Sequence, residues 1–130
     1  MSTAKQTKPT ESELEILGIL WDKGASTVRE VHEILEKTKD AGYTTTLKLM
    51  QIMHEKNLLT RDTTSKTHIY EAAISQESTQ QQLLNKMIDT VFNGSASQLV
   101  LQALGNHRSS KEELEKIKQY LNDIENQQNK

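Results

Sequence analysis

Residues 41–61 read AGYTTTLKLMQIMHEKNLLTR. Three threonines stand directly before an apolar run at helical spacing. Threonine is a poor residue inside a helix and a good one at its start. The run therefore reads as a helix that opens at the threonines, with Thr44 its expected cap. Stepping about 100° per residue, Thr46, Leu49, Met50 and Met53 share one side. Thr44, Thr45, Lys48, Gln51, Ile52 and Glu55 share the other, and Leu47 and His54 lie on a flank. Asn57 is the expected left-handed stop.

Downstream the period changes. Leu58–Asp62 and Thr67–Ala72 read as two short strands flanking the polar turn Thr63-Thr64-Ser65-Lys66. Upstream, two capping boxes each open a helix. Thr10-Glu11-Ser12-Glu13 precedes Leu14, Leu17, Gly18 and Trp21 at helical spacing, and that helix is expected to end at Lys23-Gly24. Thr27-Val28-Arg29-Glu30 precedes a stripe of Val28, Val31, Ile34 and Leu35, ending before Asp40-Ala41-Gly42. Three helices followed by a hairpin is the order of a winged helix-turn-helix. The expected organisation is a flexible N-terminus over 1–9, a winged helix-turn-helix over 10–75 and a helical region over 76–130.

That last region is a different kind of helix. Residues 80–92 run to a break at Asn93-Gly94. A segment from Ser97 to Leu104 follows, then a loop Gly105–Arg108. A third capping box, Ser110 with Glu113, opens a segment carrying Leu114, Ile117, Leu121 and Ile124. Such short segments are unstable alone, and they carry more apolar surface than they need to cover one another. The economical reading is a homodimer with a shared core, drawing on Leu83, Leu84, Met87, Val91, Leu99, Val100, Leu104, Leu114, Ile117 and Leu121. The fold class is thus mainly α with a small β-hairpin.

The bulk numbers narrow the function. Apolar content is 34%, below the usual ~45–50%, which suits an elongated chain or one that buries surface against a partner. Without cysteine there is no disulfide and no thiolate metal site. No apolar run reaches the ~18 residues of a membrane span and the first ten residues lack a signal core, so the expectation is a cytoplasmic protein without membrane insertion. Net charge is −2, yet it is uneven. From Glu11 to Glu36 there are seven acids (Glu11, Glu13, Glu15, Asp22, Glu30, Glu33, Glu36) and two bases (Lys23, Arg29). From Tyr43 to Tyr70 there are four bases (Lys48, Lys56, Arg61, Lys66) and two acids (Glu55, Asp62). A small, locally basic face suits a site-specific DNA binder.

The helix of residues 44–56 has the matching chemistry. Thr44 and Thr45 place short hydroxyls at its positive end, where phosphate would sit. Lys48 and Gln51, a turn on, are long enough to reach base edges. Ile52 on the same face could touch a thymine methyl or a sugar. Arg61, Lys66 and His68 in the hairpin would hold the backbone. His32, His54, His68 and His107 show no metal spacing, and no nucleophile or phosphate-cradling loop is present, so no enzyme and no cofactor is expected. Acidic side chains in the first turns complement helix dipoles, and Trp21 reads as core. The rival reading is a protein–protein adaptor that uses a winged helix as a docking surface.

Trp21-Asp22 closing the first helix, Tyr43-Thr44-Thr45 opening the third, Glu55-Lys56-Asn57-Leu58-Leu59 closing it, and Arg61 through Tyr70-Glu71 together resemble the BlaI/MecI penicillinase-repressor family, over roughly Thr10 to Glu125. The resemblance implies a homodimeric winged-helix repressor on an inverted repeat of double-stranded DNA with TGTA/TACA-like half-sites, dimerised by its C-terminal helices. It also implies derepression by cleavage in that region, driven by a membrane zinc-metalloprotease sensor, with the cut falling at Gln102-Ala103. The chain departs from the family in lacking basic residues at the positions of Leu47 and Ile52 and an Asn-Phe pair at the cut. It has no cysteines for the thiolate metal mode of the copper-responsive branch.

Overall fold

The computed structural model describes residues 8–106 and 109–129. His107 and Arg108 of the expected loop, and the first seven residues of the expected N-terminal tail, lie outside the described residues. Pro9, the residue ahead of the first cap, is buried.

Helix α1 (Glu11–Lys23) is capped by Thr10 with the full box: Glu13 N–H donates to Thr10 Oγ1, and Thr10 N–H donates back to Glu13 Oε1 at 2.9 Å. It ends at Gly24, whose φ of +93° and ψ of −167° fall in a region that is essentially glycine-only. Helix α2 (Val28–Leu35) opens on the second box, Thr27 with Glu30. Helix α3 (Tyr43–Glu55) does not open as expected. Its N-cap is Gly42, with no side-chain cap bond, rather than Thr44. Gly42 is extended and its carbonyl accepts from Thr45 and Thr46 N–H. Glycine is an adequate cap, and moving the start upstream places Thr44 and Thr45 inside the first turn. Asn57 does stop the helix in the left-handed region, at φ +65°.

Strands β1 (Leu59–Asp62) and β2 (Ile69–Ala72) form an antiparallel hairpin that pairs Leu59 with Ala72 and Arg61 with Tyr70. The strands are shorter than the pattern suggested, and His68 falls just ahead of β2. Asp62 organises the turn: its Oδ1 accepts from Thr64 N–H at 2.9 Å and Thr64 O–H at 2.8 Å. Those bonds hold the Asp62 carboxyl below its ordinary pKa, the backbone bond contributing most. Ser26, fully buried between α1 and α2, exchanges both backbone bonds with Tyr70 at 2.9 and 2.8 Å. The hairpin is thereby stitched to the helices.

The core gathers one stripe from each element: Ile16, Leu17 and Leu20 of α1, Val28, Val31 and Leu35 of α2, Met50 and Met53 of α3, and Leu58, Leu59 and Tyr70 around the hairpin. Leu47 and Leu49 pack on its margin. Trp21 lies on the same margin, and its Nε1–H donates to the Ile74 carbonyl at 2.9 Å. An ion pair crosses the interior. Lys56 Nζ, just past α3, is 2.8 Å from both carboxylate oxygens of Glu13, which is 2% exposed.

Helix α4 (Gln76–Thr90) follows, and the contact pattern divides the chain into two units after Gln82. The second unit holds the rest of α4, α5 (Ala96–Asn106) and α6 (Lys111–Gln128), the last opened by the Ser110–Glu113 capping box. Between α4 and α5, Asn93 and Gly94 have φ of +52° and +83°, the expected break. Helices α5 and α6 bury no residue, and Leu84, Met87, Val91, Val100, Leu101, Leu114 and Leu121 are all exposed. Leu83, Leu99, Leu104 and Ile117 are half-buried.

Candidate nucleic-acid interface

Helical phase divides the three threonines of α3. Thr46 turns inward and is 1% exposed, while Thr44 and Thr45 stay outside with Lys48, Gln51 and Ile52. Thr46 has a specific task. Its Oγ1 lies 2.9 Å from Nδ1 of His32, itself buried on α2, and His32 Nε2 faces a carboxylate oxygen of Glu36 at 3.3 Å. The Thr46 hydroxyl also lies 3.5 Å from the Gly42 carbonyl, to which it donates. A hydrogen-bonded polar contact thus fixes α3 against α2, and a buried pair left unbonded would be costly.

The outward face of α3 is bounded by two grooves. One, between α3 and the start of α1, is lined by Thr10, Ser12, Thr44, Thr45, Lys48, Leu49 and Ile52. Here the isoleucine finds its setting: Ile52 stands beside Leu49 at the α1 edge and is 37% exposed. The other, of about 490 Å³, runs between the start of α2, α3 and the hairpin. Gln51 meets Lys66 and His68 there, together with Thr27, Arg29, Tyr43 and Leu47. Arg61 is exposed on β1, opposite Tyr70, and lines neither groove. The structure therefore joins Thr44, Thr45, Lys48 and Ile52 on one side of α3 and Gln51, Lys66 and His68 on the other.

Charge is arranged to match. Lys23, Lys39 and Lys56 are each paired with a glutamate (Glu30, Glu15 and Glu13). Among the described residues, Arg29, Lys48, Arg61 and Lys66 have no carboxylate partner, and no acid lines either groove. The locally basic face expected between Tyr43 and Tyr70 thus loses Lys56 to the interior and gains Arg29 from α2. The sequence reading missed Arg29, because α2 is otherwise acidic on its polar face. It also missed Tyr43 as a groove residue, although Tyr43 opens α3.

Burial opposes the charge on Glu13, but the Lys56 ammonium and the Thr10 N–H and hydroxyl more than offset it and hold the carboxyl below its ordinary pKa. The Glu13 carboxyl is therefore ionised at neutral pH, and its contact with Lys56 ties the first turn of α1 to the end of α3. The candidate face is therefore set on a helix anchored at both ends, by Thr46 near its start and by Lys56 at its close.

Among the described residues no helix is long and apolar enough to cross a membrane. In the second unit, Gln102 and Ala103 are exposed on α5.

Sequence comparison places these features in a family. The chain is 22% identical over 120 residues to the penicillinase repressor of Staphylococcus aureus, covering 92% of this chain and 95% of the relative. It is 22% identical over 113 residues to the methicillin resistance regulatory protein MecI of S. aureus strain N315, covering 87% and 92%. It is 34% identical over 68 residues to the transcriptional regulator BlaI of Mycobacterium tuberculosis, covering 52% of this chain and 49% of that one. The model of the penicillinase repressor family matches residues 9–123, and the chain belongs to that family.

Proposed function

We propose that this protein is a sequence-specific DNA-binding transcriptional repressor that acts as a homodimer on an inverted-repeat operator. The observation that carries the reading is the outward face of α3. Short hydroxyls stand in its first turn, Lys48 and Gln51 follow a turn later, and, among the described residues, unpaired cations flank it with no acid in either groove. Thr44 and Thr45 meet phosphate beside the positive helix end. Lys48 and Gln51 read base edges in the major groove, and Ile52 makes apolar contact with a thymine methyl or a sugar. Lys66 and His68 hold the backbone across the groove, and Arg61, exposed on β1, does so from the hairpin. The names of the relatives, a penicillinase repressor and two regulators, support the same reading.

Repression is steric: each subunit places one α3 in a major groove, about one helical turn apart or somewhat more. The exposed apolar residues of α4, α5 and α6, Leu84, Met87, Val100, Leu114 and Leu121 among them, form the shared core of the dimer. Loss of that core halves the contacts of each binding event. Proteolysis at Gln102-Ala103 by a membrane metalloprotease sensor would therefore end repression. The bond lies within α5, so cleavage requires local unwinding of that helix.

The full-length chain should retard a duplex taken from upstream of its own gene, and protect two symmetric half-sites in a footprint. Failure to bind that duplex above a scrambled control would leave the adaptor reading in its place.

A further inference from the structure

Arg29 is the one cation of the α2–α3–hairpin groove that comes from α2, and it is held unlike the others. Its guanidinium carbon lies 5.1 Å from the centre of the Tyr43 ring. Tyr43 is in turn fixed: its ring stands at 86° to that of His32, centroids 5.6 Å apart, and His32 is buried and bonded to buried Thr46. The platform under Arg29 is thus built from both helices of the helix-turn-helix. A guanidinium held over a ring face by a cation–π contact has several N–H donors, and its fork suits phosphate. A side chain already held this way loses less entropy on binding.

We propose that Arg29, held over the Tyr43 ring, grips a backbone phosphate of the DNA beside the base-reading face of α3. The proposal rests on the DNA-binding reading above. Three observations favour phosphate over a base. Arg29 sits on α2, and the first helix of a helix-turn-helix crosses the backbone while the second enters the groove. The groove it lines also holds Lys66 and His68 and, among the described residues, no carboxylate. Arg29 itself has no ion-pair partner among the described residues. Tyr43 is the positioning residue, acting through its ring rather than its hydroxyl.

The test compares the full-length wild type with Arg29→Gln on the upstream duplex and on a scrambled duplex of equal length, between 50 and 200 mM KCl. Each lost phosphate contact should make the slope of log affinity against log salt shallower by about 0.9, hence about 1.8 for a dimer. The deficit of the variant should therefore be about tenfold larger at the low-salt end than at the high-salt end. It should also be the same on both duplexes, leaving the specific-to-scrambled ratio within about twofold. Tyr43→Leu should reproduce part of the deficit, and adding Arg29→Gln to Tyr43→Leu should cost less than Arg29→Gln alone. An unchanged salt slope in Arg29→Gln, or a loss confined to the upstream duplex, would overturn the phosphate role while wild-type binding kept the repressor reading intact. Wild-type protein that bound neither duplex would overturn both.

Discussion

Removing Lys56 is the sharpest perturbation of the scaffold that carries α3. In Lys56→Met the Glu13 carboxylate, 2% exposed, loses two contacts of 2.8 Å and keeps the Thr10 N–H at 2.9 Å. Breaking one partner of a buried ion pair costs about 3–5 kcal/mol. The Lys56 side chain is 25% exposed, so water partly reaches the vacated site and the low end applies, about 3 kcal/mol. For a unit of this size that is a fall in Tm of about 12–24 °C, at ~4–8 °C per kcal/mol. The pH dependence has a definite sign. The folded pKa of Glu13 is depressed, so the pair's contribution is complete above the ordinary glutamate pKa of about 4.3 and is lost as pH falls through the lower folded value. The gap between wild type and Lys56→Met, followed by circular dichroism at fixed protein concentration, should be full at pH 7 and close as the solution is acidified below that ordinary value. Glu13→Leu combined with Lys56→Met should recover much of the loss, because an apolar pair can replace a buried ion pair at little cost. A penalty at pH 7 within about 0.5 kcal/mol, the range of ordinary surface changes, would refute this account of the pair. So would a gap that widens in acid.

Two further outcomes follow from the contacts described. Thr46→Val keeps the shape of the buried side chain but removes the oxygen bonded to His32; it should cost about 1–3 kcal/mol in denaturant unfolding, and a neutral result would show that the α2–α3 contact is not held by that bond. Leu84→Glu with Leu121→Glu changes residues that are 42% and 52% exposed in a single chain; the pair should convert a dimer to monomer in sedimentation, and an unchanged mass would remove these helices from the dimer.

The parts of the fold that were legible in the sequence are those specified over three or four residues. Thr10, Thr27 and Ser110 each cap a helix through a box with the glutamate three residues on, and Asn57 and the Asn93-Gly94 break adopt the left-handed backbone their residue types favour. The phase of α3 was legible as well, since Thr46, Met50 and Met53 are buried and Lys48, Gln51 and Ile52 are not. What was hidden depends on pairs distant in sequence. Glu13 looked like a first-turn acid and Lys56 like part of a basic face, until the fold brought them together. Ser26 gave no signal of its bridge to Tyr70, because a single bridge has no periodicity. The start of α3 was misjudged because glycine, lacking a side chain, is a quiet cap beside three threonines. Arg29 was hidden for the same tertiary reason. It shares a groove with Leu47, which lies on the neighbouring helix.

Whether the outward face of α3 reads bases is decided by titration against two duplexes. Wild type, Lys48→Ala and Gln51→Ala are titrated against the upstream duplex and a scrambled duplex at a single salt concentration. Each substitution should lower the specific-to-scrambled affinity ratio by about 1–3 kcal/mol, the worth of one good base contact. Ratios unchanged in both variants would contradict the account, since a helix that touches only phosphate loses affinity equally on every sequence.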